Sequence, residues 1–102
     1  MTGFGEDQAA HDEWDKLHAA ATRAISDYEI YELALAAAKG ARKMELVREN
    51  MPVWRADAQM AVEAADEGTE LGKAVLALRC AREAKENAIL QRDAARNRAW
   101  KR

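Results

Sequence analysis

The segment Glu49-Asn50-Met51-Pro52 decides the fold of this chain, because it lies at the midpoint of the 102-residue sequence. Proline is favoured in the first turn of a helix, and it disfavours helical backbone in the residue before it. We therefore expect one helix to end near Asn50 and another to begin just after Pro52. The sequence holds no other proline, so this is its strongest predicted break.

The composition on both sides of this turn favours helices over strands. Alanine, leucine, arginine, glutamate and lysine are strong helix formers. Strands would need runs of β-branched and aromatic residues between turn signals, and the sequence has none. A charged fraction of 33% and a net charge of −2 indicate a well-solvated surface. The fold class predicted is all-α, in one domain spanning residues 1–102.

Two apolar stripes mark the N-terminal half. The first stripe consists of Trp14, Leu17, Ala21, Ala24 and Tyr28. The second stripe consists of Ile30, Leu33, Ala37, Gly40, Met44, Val47 and Met51, in the 3-and-4 spacing of a heptad repeat. The change of stripe near Ser26, with Glu29 completing a capping box, predicts a break at Ser26. We expect a flexible lead at residues 1–5 and helices at 6–25 and 27–50.

Gly40 has two interpretations. It could end a helix, with Lys39 well placed in the last turn. It could instead be a small residue within the second stripe that lets a partner helix approach closely. The heptad spacing continues on both sides of Gly40, which favours the second interpretation.

The C-terminal half carries seams of small residues that predict one long helix over residues 53–99. One seam consists of Trp54, Ala58, Ala61, Ala65, Gly68, Gly72 and Val75. The other consists of Met60, Ala64, Leu71, Ala74, Leu78, Ala81, Ala88 and Ala95. The alternative is an interruption near Gly68, with Thr69 capping the helix that follows. The uninterrupted heptad count favours the single helix.

The charge distribution predicts an antiparallel hairpin. Residues 1–35 carry a net charge of −6, residues 36–51 of +2, residues 52–66 of −2 and residues 67–102 of +4. Folding the chain at Pro52 brings segments of opposite charge together along both arms. Exposed ion pairs stabilise a fold little, but they select helix orientation and register.

A hairpin alone would bury too little apolar surface to be stable, so additional packing is expected. The apolar residues of segment 71–80 point to more than one side of a helix, which predicts more than one neighbour. The fold would close as a three-helix bundle or by oligomerisation, through self-association or a protein partner. The residues predicted to bind that partner are Trp54, Leu71, Val75, Leu76 and Leu78.

No combination of residues predicts an active site, a metal site or a cofactor site. His11, Asp15 and His18 share one helix face, but a structural zinc site needs four ligands. Cys80 would need a histidine base to act as a nucleophile, and His18 could lie about one turn away in the hairpin. We interpret the histidines as solvated and Cys80 as a small buried residue, and we expect no enzymatic activity.

Nucleic-acid binding is the alternative function, because the C-terminal helix is basic. The residues that could contact phosphates are Arg82, Lys85, Arg92, Arg96, Arg98, Lys101 and Arg102. A basic helix with a terminal aromatic residue can bind nucleic acid. The competing interpretation is that these side chains neutralise the acidic N-terminal arm.

Location and origin are expectations from composition. No apolar run approaches the roughly 20 residues of a membrane span, and a lone cysteine suits a reducing cytoplasm. Short helical proteins rich in alanine and arginine are common among phage-encoded and accessory bacterial genes. The leading hypothesis is a non-enzymatic interaction or assembly protein that presents helical faces, coiled-coil-like in spacing, to copies of itself or to a partner.

Overall fold

The computed structural model describes residues 2–100, with side chains described from residue 8 onward, and consists of three helices. Helix α1 spans Thr2–Arg48, α2 spans Val53–Ala64 and α3 spans Glu70–Trp100. No strand occurs within the described residues. Helices α1 and α3 pack against each other along an elongated molecule of 75 × 19 × 17 Å. The prediction of an all-α helical hairpin is confirmed.

The turn between α1 and α2 lies at the predicted position. Asn50 adopts a left-handed backbone conformation with φ of 65°. The Asn50 N–H donates to the Val47 carbonyl at 3.0 Å, and the Met51 N–H donates to the Leu46 carbonyl at 3.2 Å. This is the Schellman arrangement, in which the left-handed residue is commonly glycine or asparagine. The Pro52 carbonyl then accepts from Ala56 at 2.9 Å, which starts α2.

The predicted break at Ser26 is wrong, because α1 is a single helix of 47 residues. The face occupied by the first stripe continues beyond Tyr28, and its next positions include the buried residues Leu35 and Leu46. The face of α1 that packs in the interior is therefore the same before and after Ser26. The predicted flexible lead is also helical from Thr2 onward, while residue 1 lies outside the described part of the chain.

The predicted single helix over residues 53–99 is also wrong, because residues 65–69 leave the helix. The Thr69 hydroxyl donates toward the carbonyls of Glu63 and Asp66, at 2.6 and 2.8 Å. It also accepts from the Gly72 N–H at 2.9 Å, which caps the start of α3. The alternative of a capped interruption near Gly68 describes the chain correctly.

The interruption also changes which residues face each other across the hairpin. Cys80 lines a groove with Ala24, Asp27 and Tyr31, so the residues beside it begin near the predicted position 22 and extend C-terminally from it. The five non-helical residues 65–69 do not rise along the molecule by the same length as five helical residues would. The arms nevertheless meet with opposite charges at both ends, with Arg98 donating to Glu13 at 2.8 Å and Lys43 pairing with Asp57 at 3.2 Å.

The core is small and built mainly from alanine. Its members are Ala21, Leu35, Leu46, Ala56, Leu71, Ala81, Ala95 and Ala99. Alanine lets helices approach closely but buries little apolar area per residue. Larger apolar side chains remain exposed on the outside of the molecule. None of the helices within residues 2–100 has an apolar stretch long enough to cross a bilayer.

Candidate interaction surfaces

The helical part of the second stripe lies on the outside of the molecule, and we call it the outer stripe. It consists of Ile30, Leu33, Ala37, Gly40, Met44 and Val47. The exposed fraction is 59% for Ile30, 72% for Leu33, 57% for Met44 and 44% for Val47. The sequence predicted that this stripe packs against another helix. Within the described residues, no helix of the chain covers it.

The outer stripe and the buried face lie on opposite sides of α1. Successive residues of an α-helix are rotated by about 100°, so Leu33 lies about 160° around the helix from Leu35. Met44 lies about 180° from Leu35 by the same geometry. Leu35 is buried inside the hairpin, whereas Leu33 and Met44 are exposed on its outer side. Helix α1 therefore carries two heptad-spaced apolar faces, of which the intramolecular fold uses one.

A shallow hollow of about 380 Å³ lies in the C-terminal half of the outer stripe. It is lined by Gly40, Lys43, Met44, Val47 and Arg48. A Cβ atom added at Gly40 would meet nothing within 4 Å. Gly40 does not end a helix, because α1 continues through it to Arg48, and its missing side chain leaves open space on the surface.

The five residues predicted to bind a partner do not form one surface. Leu71 is only 3% exposed, and Val75 and Leu78 are half-buried, so the fold itself uses much of segment 71–80. Leu76 is exposed at 36%, and Trp54 is exposed at 73% beside the central turn. Trp54 and Leu76 are the members of this set that stand open to solvent. The outer stripe is a larger apolar surface than either.

The basic side chains of α3 have contacts within the molecule. The Lys85 ammonium lies 3.9 Å from the centre of the Tyr28 ring, and the Arg82 guanidinium lies 6.0 Å from it. These are cation–π distances. Tyr28 is half-buried, so its ring joins the first stripe of α1 to the basic face of α3.

The last part of α3 follows the same pattern. Arg92 pairs with Asp93 at 3.1 Å and Arg98 pairs with Glu13 at 2.8 Å, while Arg96 is exposed. Lys101 and Arg102 lie outside the described residues. Arg98 contacts an acidic residue of the N-terminal arm, whereas Arg92 pairs with its neighbour on α3 and Arg82 and Lys85 contact an aromatic ring.

The two histidines belong to an aromatic cluster at the end of the hairpin. The His18 ring stacks on Trp14 with centroids 4.7 Å apart, and His11 meets Trp100 edge to face at 4.5 Å. Trp14 and Trp100 also meet edge to face at 5.2 Å. Within the described residues, no group of three or more histidine, cysteine, aspartate or glutamate residues is arranged to hold a metal ion. The cluster joins α1 to the end of α3.

Cys80 is exposed, so the interpretation of a buried small residue is wrong. Its groove contains Asp27 and Tyr31 but not His18. The structure therefore does not bring together the pair that a cysteine nucleophile would require.

An ion-pair cluster joins α1 to the end of α2. Arg42 donates to both carboxylate oxygens of Glu63, at 2.8 and 2.9 Å, and to Glu45 at 3.0 Å. Gln59 also donates to Glu63, at 3.0 Å. Hydrogen bonds from Arg42, and then from Gln59, hold the pKa of the Glu63 carboxyl below its ordinary value. No sequence pattern indicated this pair, because its members are 21 positions apart on different helices.

Glu63→Gln should destabilise the fold at neutral pH and lose that effect in acid. The lowered pKa of Glu63 means that its stabilisation is present above the unfolded-state pKa of about 4.3 and fades as the pH falls through the folded-state pKa. We expect thermal unfolding at pH 7 to show a midpoint a few degrees below that of the unchanged chain. The two midpoints should converge only once the pH has fallen below the lowered folded-state pKa of Glu63.

Glu45→Gln is the matched control, because Glu45 contacts Arg42 from the same helix and is 59% exposed. Its effect should be smaller, since the pair does not join two helices. A gap between Glu63→Gln and the unchanged chain that persists into acid would show that packing, and not ionisation, accounts for the loss.

Comparison with known proteins gives no match to a family model, to a curated sequence or to a solved structure.

Proposed function

We propose that this protein is a non-enzymatic interaction or assembly module that binds another protein surface through the outer stripe of α1. The observation that carries the proposal is the exposure of Ile30, Leu33, Met44 and Val47 in heptad spacing on one helix. The opposite face of the same helix already forms the core of the hairpin.

Physical chemistry supports a binding role for such a surface. Single exposed apolar residues are normal, but a contiguous apolar strip on a small protein marks an interaction site. Heptad spacing is the spacing with which one helix inserts its side chains between those of another. The expected partner surface is therefore an apolar helix. Trp54, which is exposed beside the central turn, is a second candidate anchor. Tryptophan is enriched among the residues that dominate binding energy.

Nucleic-acid binding through α3 is the weaker proposal. Arg82, Lys85, Arg92 and Arg98 each have a contact within the chain that phosphate binding would have to replace. The net charge of −2 also gives no long-range attraction to a polyanion. We propose the cytoplasm as the site of action, because a lone exposed thiol suits a reducing compartment. From composition alone, we also propose that the protein is phage-encoded or an accessory bacterial protein.

Site-specific photo-crosslinking in the native cell tests the interaction proposal. A photoreactive residue at Leu33 or Met44 should give a discrete crosslinked species, because both side chains point away from the hairpin. The matched control is Leu90, which is 67% exposed on α3 and belongs to no heptad stripe. We expect crosslinks from Leu33 and Met44 to be far more abundant than from Leu90, because a photoreactive group reacts with the surface that it contacts.

The outcome that contradicts the proposal is equal crosslinking, or none, at all three positions. A discrete adduct at Leu90 alone would place the binding surface on α3 and would also overturn the assignment to the outer stripe. The mass of the adduct identifies whether the bound surface belongs to a second copy or to a different protein.

A further inference from the structure

We propose that the outer stripe is covered by the outer stripe of a second copy of this chain, running antiparallel to it. This inference rests on the proposed interaction function and names its partner. The occupant follows from three features of α1, namely the symmetric order of large and small residues, the hollow at Gly40 and the charges beside the stripe.

The order of residues in the outer stripe complements itself when one copy is reversed. The large residues Ile30 and Leu33 stand at one end and Met44 and Val47 at the other. Between them lie Ala37 and Gly40. With a two-fold axis between Ala37 and Gly40, Ile30 faces Val47 of the second copy and Leu33 faces its Met44. The small residues meet at the centre, where they allow the two helices to approach closely.

The hollow at Gly40 has the composition of the hole that receives a side chain in helix–helix packing. In a coiled coil, each apolar side chain inserts between four residues of the facing helix. Gly40, Lys43, Met44 and Val47 are spaced as such a set and line one hollow. In the antiparallel register, the side chain that reaches this hollow is Leu33 of the second copy. Leu33 is the most exposed large residue of the stripe, at 72%.

The flanking charges favour the antiparallel orientation over the parallel one. Asp27 and Glu29 border the start of the outer stripe on its two sides. Arg48 and Lys43 border its end on the same two sides, and Lys43 also pairs with Asp57. An antiparallel second copy places Asp27 on the same side as Arg48, about two residues away along the axis, and Glu29 on the same side as Lys43, about five residues away. A parallel copy would place like charges together at both ends, and such flanking charges are what set orientation in paired helices.

A two-fold interface of this kind uses the same surface on both subunits and therefore closes at two. Leu33 occurs twice in it, so one substitution removes two inserted side chains. The inference thus predicts a dimer and a strong effect of any charge placed at position 33. An open chain of subunits is not expected, since α1 offers one outer stripe.

The first experiment measures absolute mass by light scattering after gel filtration, over a range of protein concentrations and at low and high salt. We expect a mass twice the 11.4 kDa of the chain, and we expect it to persist in high salt because the contact is apolar. Leu33→Glu should raise the dimer dissociation constant at least about 100-fold, since each subunit contributes one buried position. The matched control Leu90→Glu, at 67% exposure, should leave the dimer unchanged.

Circular dichroism of each variant checks that the helices are retained, and Met44→Glu is the second variant if Leu33→Glu does not fold. A monomer at all concentrations would overturn the inference, as would a dimer that Leu33→Glu and Met44→Glu leave intact. If the chain is a monomer while photo-crosslinking joins Leu33 to another protein, the interaction function stands and the second copy is excluded. If the chain is a monomer and photo-crosslinking at Leu33 and Met44 gives no discrete adduct, both the dimer and the interaction function are overturned.

Spin labels test the orientation. Lys39→Cys and Glu49→Cys, each made with Cys80→Ser, place one label near the proposed axis and one far from it. At a rise of about 1.5 Å per residue, the two labels at position 49 should be roughly 30 Å further apart along the helices than those at position 39. Equal separations at the two positions would identify a parallel pair and overturn the antiparallel assignment.

Discussion

Replacing Gly72 by alanine is expected to destabilise the protein by about 2–4 kcal/mol. A Cβ atom at this position would overlap the backbone carbonyl of Asp66. That carbonyl cannot move freely, because it accepts hydrogen bonds from the Thr69 N–H at 3.0 Å and from the Thr69 hydroxyl at 2.8 Å. Accommodating the methyl group would displace the 65–69 turn and disturb the cap of α3. Urea unfolding followed by circular dichroism measures the loss.

Gly40→Ala is the matched control and should have the opposite sign. Gly40 lies in the interior of α1, and an added Cβ would meet no atom within 4 Å. Alanine is a better helix former than glycine by about 1 kcal/mol, so the variant should be more stable when both chains are compared at a protein concentration low enough to keep them monomeric. If both alanine variants changed stability in the same direction, the close approach of Gly72 to Asp66 would not be the cause.

Leu46→Ala is expected to cost about 3 kcal/mol of unfolding free energy. Leu46 is the largest fully buried side chain, at 2% exposed, in a core built mainly of alanine. Its carbonyl also accepts the Met51 hydrogen bond that closes the central turn, so the side chain is buried where the chain reverses. For a domain of about 100 residues this loss corresponds to a midpoint roughly 10–20 °C lower.

Leu90→Ala removes the same atoms from an exposed position and should change stability by less than about 0.5 kcal/mol. Both variants should be compared at one low protein concentration, because association contributes to apparent stability. A loss at Leu90 as large as that at Leu46 would contradict the placement of the core.

The central turn was predictable because its signals are local. Pro52 restricts its own backbone and that of Met51, and Asn50 tolerates the left-handed conformation that ends α1. Helix formation on both sides followed from composition. The antiparallel arrangement followed from charge, which acts over distances longer than a single contact. These features depend on residues near one another in sequence or on the net charge of whole segments.

The candidate surface was only partly predictable. The heptad spacing of the outer stripe was evident in the sequence and predicted a helix-packing face. Its exposure was not, because the first stripe and the second stripe have the same periodicity and either could have faced the hairpin. The expectation placed the partner surface on segment 71–80 instead, where Leu71 proved to be buried.

By itself, the sequence determined three things about this protein, namely helices throughout, a reversal at Pro52 and opposite charges on the two arms. Each depends on the conformational preference of a residue or on the summed charge of a segment. Only the tertiary structure decided that α1 continues through Ser26, that Gly72 must accommodate the Asp66 carbonyl, and that the outer stripe stays uncovered. These outcomes depend on which surfaces meet across the hairpin, and residues far apart in the chain fix that choice through packing that periodicity does not encode.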